Sequence, residues 1–174
     1  MNPLVIATRN AHKAREIREI LGDVAWVRTL NDFPDVPEID EKGDTFESNA
    51  IHKASMVASQ LKFATLADDS GLEVDALNGE PGVRSARFAG DGSADRENNE
   101  KLLRLMEGIP PESRTARFRC VMAFILPDGT RHTGEGVCEG TILNRARGMG
   151  GFGYDPLFVP SGYSDSFSVL KSDI

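Results

Sequence analysis

The residues with the most chemical potential are adjacent carboxylates in Asp68-Asp69-Ser70-Gly71, placed where an apolar stretch runs out. Ligands gather at the carboxyl ends of strands in open α/β sheets. Neighbouring side chains on an extended backbone point apart, so one carboxylate can hold a metal while the other supports a loop. Glu38, Asp40 and Glu41, in an acidic loop upstream, offer further oxygen ligands. Such a set suits Mg²⁺, which takes few carboxylates and completes its shell with water and substrate phosphates. A solvated turn with Asp as turn former fits the same four residues.

A second segment, Thr8-Arg9-Asn10-Ala11-His12-Lys13, falls at a strand-to-helix junction. A helix N-terminus presents free N–H groups and partial positive charge. Arg9 and Lys13 add full charge, and Thr8 and Asn10 add hydrogen-bonding side chains. The combination suits a phosphate, although the glycines and the Lys-Ser/Thr pair of a P-loop are missing. The plainer alternative is a capping Asn10 with surface cations. The third segment, Gly150-Gly151-Phe152-Gly153-Tyr154-Asp155-Pro156, sets two aromatics among glycines and a proline. It suits stacking on a base, with backbone able to approach the base edge. It equally suits a tight corner that packs both rings into a core. Ser70 lacks the Gly-x-Ser-x-Gly context of a nucleophile elbow. His12, His52 and His132 show no triad-like setting, His132 is expected exposed in a hairpin, and Cys120 is expected in the core.

These groups need elements to hold them. Val5-Ile6-Ala7 predicts a short buried strand, and a helix follows from Asn10 with an apolar stripe of Ala14, Ile17, Ile20 and Leu21. Asn31 to Lys42 is an acidic, Pro-containing loop. A second helix starts near Asp44 or Thr45, with Glu47 in its first turn and Phe46, Ala50, Ala54, Val57, Ala58 and Leu61 as its stripe. Phe63 to Ala67 predicts the strand that ends at Asp68. After a loop-rich middle, a third helix runs from Ser93 or Asp95 to Glu107, with Leu102, Leu105 and Met106 inward, and Gly108 and Pro110-Pro111 stop it. Thr115 to Leu126 predicts a long strand with Ala116, Phe118, Cys120, Met122 and Phe124 on one face. Pro127-Asp128-Gly129 turns it, and Thr130 to Ile142 returns as a hairpin partner. A Gly-dense loop, Gly148 to Gly153, precedes a last strand at Leu157-Phe158-Val159. Helices mixed with a long hairpin predict an α/β or α+β fold on a mixed sheet.

The 174 residues are of single-domain length, with 40% hydrophobic and 27% charged residues, and show no repeat or linker. Lys and Arg number 20 against 27 Asp and Glu, a net charge of −7, which argues against nucleic acid or a membrane surface as the main partner. A divalent cation is the simplest bridge from an acidic protein to an anionic substrate. Two cysteines give neither a disulfide framework nor a zinc site. No apolar run is long enough to span a bilayer, and the N-terminus is too soon polar for a signal peptide, so a soluble cytoplasmic protein is expected.

Read in order, five segments carry a resemblance. They are Thr8-x-Asn10-x-x-Lys13; Glu41-x-Gly43-x-Thr45-Phe46-x-x-Asn49-Ala50-x-x-Lys53-Ala54; Ala67-Asp68-Asp69-Ser70-Gly71-Leu72; Pro81-Gly82-x-x-Ser85-Ala86-Arg87-Phe88; and Gly151-Phe152-Gly153-Tyr154-Asp155-Pro156. Together they resemble the Ham1/RdgB-type inosine triphosphate pyrophosphatases over nearly the whole chain. The resemblance implies an α/β fold, an elongated mixed sheet flanked by helices, in two lobes about a central cleft, and a homodimer. It implies Mg²⁺-dependent hydrolysis of the non-standard purine nucleoside triphosphates dITP, ITP and XTP to monophosphate and pyrophosphate. By position, Asp69 is the proton acceptor and a metal ligand, and the Asp40-Glu41 pair supplies the other metal carboxylate. Thr8, Arg9, Asn10, Ala11, His12 and Lys13 hold the triphosphate with Lys53 near it. Ser70 contacts substrate, and Phe152, Gly153, Tyr154 and Asp155 line the nucleoside pocket. Glu16 matches a supporting acidic position.

Elementary chemistry agrees with these roles. Triphosphate hydrolysis needs neutralisation of developing charge, which Mg²⁺, Lys13, Lys53 and a helix N-terminus can give. A carboxylate such as Asp69 can deprotonate the attacking water. The resemblance departs at Arg84, at Ala146 and at the C-terminus. There a lysine and a Ser-His-Arg segment are expected, and the sequence printed reads Lys171-Ser172-Asp173-Ile174. The expectation is one pyrophosphatase domain over 1–174 with a missing or truncated tail, the base held mainly by stacking. Two other readings are a Maf-like nucleotide pyrophosphatase of different base preference and a nucleotide-binding protein with reduced turnover.

Overall fold

A computed structural model describes residues 2–170; the expectation attached to Lys171–Ile174 lies outside the described residues. Six strands form one mixed sheet in the order β2-β1-β3-β4-β5-β6. They are β1 (Leu4–Ile6), β2 (Val27–Thr29), β3 (Thr65–Val74), β4 (Thr115–Ile125), β5 (Arg131–Ile142) and β6 (Phe158–Pro160). Strand β1 pairs in parallel with β2 and β3, and β5 pairs antiparallel with β6. Helices α1 (Ala11–Leu21), α2 (Phe46–Leu61) and α3 (Asp95–Leu105) complete an α/β architecture. No helix among the described residues is long and apolar enough to cross a membrane.

The contacts divide the chain into two compact units, Met1–Asp69 with Cys120–Glu135, and Ser70–Arg119 with Gly136–Ile174. Strands β3, β4 and β5 each pass from one unit to the other. The first unit buries Val5, Ile6, Ala50, Ala54 and Val57. The second has a core of Leu72, Val74, Leu102, Met106, Leu157 and Phe158, against which Phe118 and Phe167 pack.

Both helices of the first unit begin where the sequence predicts. Asn10 Oδ1 accepts from the backbone N–H of His12 and Lys13 and caps α1. Thr45 caps α2, its Oγ1 accepting from Ser48 N at 3.1 Å. The stripe of α1 is shorter than expected. Ala14 and Ile17 are buried, but Ile20 is 84% exposed and Leu21 is half-buried. Three residues advance only about 300° around a helix, so each i, i+3 step falls back and the third member leaves the buried face. Helix α2 buries five of its six expected residues, leaves Leu61 partly exposed, and adds Asn49 to that face. On α3, Leu102 and Met106 are inward while Leu105 is 45% exposed.

The strands depart further from expectation. The acidic motif does not end a strand, because β3 continues through Asp68-Asp69-Ser70-Gly71 to the buried Leu72 and Val74. Ser and Gly read locally as turn formers, and sheet pairing overrides that preference. Strand β2, which the sequence reading omits, is three residues around Arg28 and too short for a period-2 signal. On β4 the buried parity changes. Ala116 is buried near the start, but Val121, Ala123 and Ile125 are buried further on, so Cys120, Met122 and Phe124 are half-buried rather than core.

Candidate active site

Strand β1 stops at Ile6, paired with Leu66, two residues before Asp68 on β3. Ala7 N still donates to Leu66 O at 2.8 Å, and Thr8 N then donates back to Ile6 O at 2.8 Å, turning the chain into α1. Asn10 N donates to Thr8 Oγ1 at 3.1 Å. The acidic pair therefore lies past the carboxyl end of β1, in the first unit together with the N-terminal turn of α1. The motif sits within its own strand, and the strand end that matters is that of its neighbour.

Lys13, on the first turn of α1, places Nζ 2.5 Å from Asp68 Oδ2. Lys53, two turns into α2, pairs with Glu41 Oε1. Burial alone pulls the Lys13 ammonium down, but Asp68, with Glu41 and Asp69 beyond it, outweighs burial and holds it above the usual lysine range. Burial likewise opposes ionisation of Asp68, and the charge and hydrogen bond of Lys13, aided by Lys53, bring its carboxyl below the usual carboxylate range. Asp69 goes the other way. Burial raises it, a hydrogen bond from Asn49 opposes that, and the Glu41 carboxylate adds to the rise. The two consecutive carboxyls are thus pushed in opposite directions, Asp68 towards its ionised form and Asp69 towards its protonated one.

Asn49 is 2% exposed. Its Nδ2 donates to Asp69 Oδ2 at 2.8 Å, and its Oδ1 accepts from Gly43 N at 2.7 Å. One buried amide thus fastens Asp69 to the loop that carries Glu41. Gly43 must be small here, since a Cβ would lie 2.6 Å from Asn49 Oδ1. The sequence reading does not single out Asn49 as a site residue; the available signal is a polar residue on the apolar face of α2, beside Ala50.

The cluster is two lysines, 13 and 53, against three carboxylates, 41, 68 and 69, a surplus of one negative charge. Asp68 Oδ1 is buried without a hydrogen-bond partner. No three His, Cys, Asp or Glu side chains among the described residues form a ready-made metal cage. An all-oxygen donor set of this kind fits a hard divalent cation that keeps water and phosphate in its shell. Of the pair left open by the sequence, Glu41 faces the cluster, whereas Asp40 is exposed and pairs with Lys42 at 2.5 Å. Cys120 feels the same carboxylates; burial pushes its thiol up, and Asp68 adds to that, so it is no ready nucleophile.

The remaining residues of the first segment divide. Arg9 donates to the carbonyls of Leu30 at 2.8 Å and Val36 at 2.5 Å, so its guanidinium braces a loop. Ala11 and His12 lie exposed on the first turn, and Glu16 is exposed one turn on. His132 is exposed, with its ring stacked near Phe124.

In the second unit, Ser70 continues β3 and is half-buried. Phe152 and Asp155 are half-buried in a turn that Asp155 Oδ2 closes by accepting from Phe152 N at 2.9 Å. Tyr154 is no stacking platform. It is 3% exposed within the apolar core, and its hydroxyl donates to Ser85 O at 2.8 Å. An aromatic with one polar tip satisfied by a carbonyl is a core residue. Of the two rings in the loop, Phe152 alone is partly presented to solvent.

Fold and cluster together describe a hydrolase-like α/β protein with acid and cationic groups at a strand end, and comparison with known proteins gives the family. The chain belongs to the Ham1 family, whose model matches residues 4–174. It is 52% identical over 171 residues to the dITP/XTP pyrophosphatase of Desulforamulus reducens, covering 98% of this chain and 85% of that one. It is 53% identical over 162 residues to the protein of the same name from Geobacter sulfurreducens, covering 92% and 81%. Among solved structures, a HAM1 protein from Coxiella burnetii superposes with a TM-score of 0.89 at 38% identity, covering 99% of this chain and 89% of that one.

Proposed function

We propose that this chain hydrolyses non-standard purine nucleoside triphosphates, dITP, ITP and XTP, to the nucleoside monophosphate and pyrophosphate. The observation that carries the reading is the split pair on β3: ionised Asp68 locked to Lys13, and the more basic Asp69 beside Glu41. Relatives named dITP/XTP pyrophosphatase support the substrate class.

In this reading Asp69 accepts a proton from water, and the water oxygen attacks the α-phosphorus. The bond from that phosphorus to the bridging oxygen breaks, and its electron pair leaves with pyrophosphate. Lys13 and Lys53 offset the charge gathering on the phosphate oxygens. Glu41 and Asp69 are the residues that would hold Mg²⁺, which when bound supplies Lewis-acid charge to the phosphates. Thr8, Asn10 and the α1 N-terminus offer donors to the triphosphate, and Ser70, Phe152 and Asp155 attend the nucleoside. Homodimer, cytoplasmic setting and one pyrophosphatase domain over the chain belong to the same proposal.

The test is pyrophosphate release from dITP, XTP, dATP, dGTP, dCTP and dTTP with Mg²⁺. Release from dITP and XTP well above the standard nucleotides is expected. Preference for a pyrimidine or standard nucleotide would favour a Maf-like base choice, and binding without release would make the chain a nucleotide binder.

A further inference from the structure

Gly153 sits in the middle of the Phe152–Asp155 turn with φ +56, a left-handed conformation. Both of its backbone groups are taken by one helix. Gly153 N donates to Asp95 Oδ2 at 2.7 Å, and Gly153 O accepts from Asn99 Nδ2 at 2.8 Å. Asp95 and Asn99 are four residues apart on α3, hence on one face, and present an acceptor and a donor that match a single residue's donor and acceptor. Asp95 is in the first turn, where the helix dipole favours its charge, and its bond to Gly153 is charge-assisted. Asn99 Oδ1 is buried without a partner, so the amide is held from its Nδ2 side. The opposite amide orientation would set two oxygens against each other.

The platform is itself braced. Asn98 Oδ1 accepts from Ala89 N at 2.7 Å and from Ser93 Oγ at 2.9 Å, and Lys101 Nζ donates to Phe88 O at 2.6 Å. Past the clamp the buried Tyr154 anchors the chain through Ser85 O. Before it, Phe152 N donates to Asp155 Oδ2, and Phe152 is joined directly to the clamped Gly153.

We propose that Asp95 and Asn99 are positioning residues for nucleobase recognition: by clamping both backbone groups of Gly153, they fix the Phe152 ring in the pose that meets the nucleoside. This rests on reading Phe152–Asp155 as nucleoside-contacting. A site gains affinity when its contact groups are held in place by a supporting layer on a rigid element.

The experiment compares wild type with Asp95→Ala, Asp95→Asn and Asn99→Asp, using Arg96→Ala as an exposed control on the same helix. The readouts are KM and kcat for dITP, inhibition by inorganic tripolyphosphate, melting temperature, and amide exchange across residues 150–155. Losing one charge-assisted bond should raise KM about tenfold in Asp95→Ala, with kcat changed by less than about threefold. Asn99→Asp, which sets a carboxylate against Gly153 O, should do the same. Tripolyphosphate inhibition should be unchanged, and exchange at 150–155 should quicken. Asp95→Asn keeps an acceptor and should restore most of the affinity. Wild-type KM and exchange in both Asp95→Ala and Asn99→Asp would overturn the proposal, as would parallel loss of tripolyphosphate inhibition, which marks general damage. Should Asp95→Ala fail to fold, Asn99→Asp reads the same clamp. Wild type that neither cleaves nor binds dITP overturns the functional reading and this role with it; normal wild-type turnover with silent clamp variants overturns the clamp alone.

Discussion

Lys13 Nζ and Asp68 Oδ2 lie 2.5 Å apart across 55 residues of sequence, joining the first turn of α1 to the middle of β3. Both side chains are largely buried, so each charge has little water to fall back on. Such a pair contributes little net stability when whole, but breaking it strands a buried charge.

Lys13→Met should therefore destabilise the protein by about 3 kcal/mol in urea titration. The linkage has a definite sign in metal-free protein. Asp68 titrates below its ordinary range when folded, so the pair's contribution is complete above the unfolded carboxylate pKa of about 4 and is lost as pH falls through the depressed folded value. Without Lys13 that depression disappears, and acid unfolding followed by circular dichroism should begin at higher pH. An acid limb identical to wild type would mean the pair does not hold Asp68 ionised.

Glu41→Gln and Asp40→Asn should separate sharply. Glu41 faces Lys53 and Asp69, while Asp40 pairs with Lys42 at the surface. In its proposed role as a cation ligand in a site that supplies few, loss of Glu41 should cost about 100-fold in kcat/KM and shift the Mg²⁺ activation curve to higher concentration. Asp40→Asn should stay within about threefold of wild type, as exposed pairs contribute little. Equal losses would return Asp40 to the site.

Much of this was legible in residue types. Asn10 and Thr45 announce two helix starts because capping is a local interaction, and each does cap. Asp69 and Lys13 stand out as charges beside apolar stretches, Lys53 enters only through the family resemblance, and the three fall in one cluster. What escaped is non-local. Asp68-Asp69-Ser70-Gly71 reads as a strand end or a turn, because strand pairing across the sheet leaves no mark on four adjacent residues. Tyr154 reads equally as a stacking ring or a core ring, and the hydroxyl it donates to the carbonyl of Ser85 decides for the core. Asn49, Asp95 and Asn99 act through backbone and side-chain partners at distant positions, and a lone Asn on a helix has many plainer uses.

Asn49→Ala should lower kcat for dITP about tenfold or more, since it releases Asp69 from Gly43 and its loop. Melting should fall by a few degrees as a buried amide is lost. Unchanged kcat with lowered melting temperature would confine Asn49 to stability.

Arg114 is a purely structural test. Its buried guanidinium donates to the carbonyls of Met106, Ile109, Ile142 and Leu143, tying the end of α3 to β4 and β5. Arg114→Met leaves those carbonyls without their donor and should cost about 3 kcal/mol in chemical unfolding. A loss under about 1 kcal/mol would show that water satisfies them instead.

The central claim is that Asp69 is the proton acceptor in triphosphate hydrolysis, and the most direct measurement is single-turnover pyrophosphate release from dITP by Asp69→Asn at saturating Mg²⁺. An amide cannot take the proton and is a poor ligand for a hard cation. The account predicts a rate at least about 1,000-fold below wild type, with the fold intact by circular dichroism and binding of a non-hydrolysable dITP analogue retained. Release within about tenfold of wild type by a folded variant would contradict it.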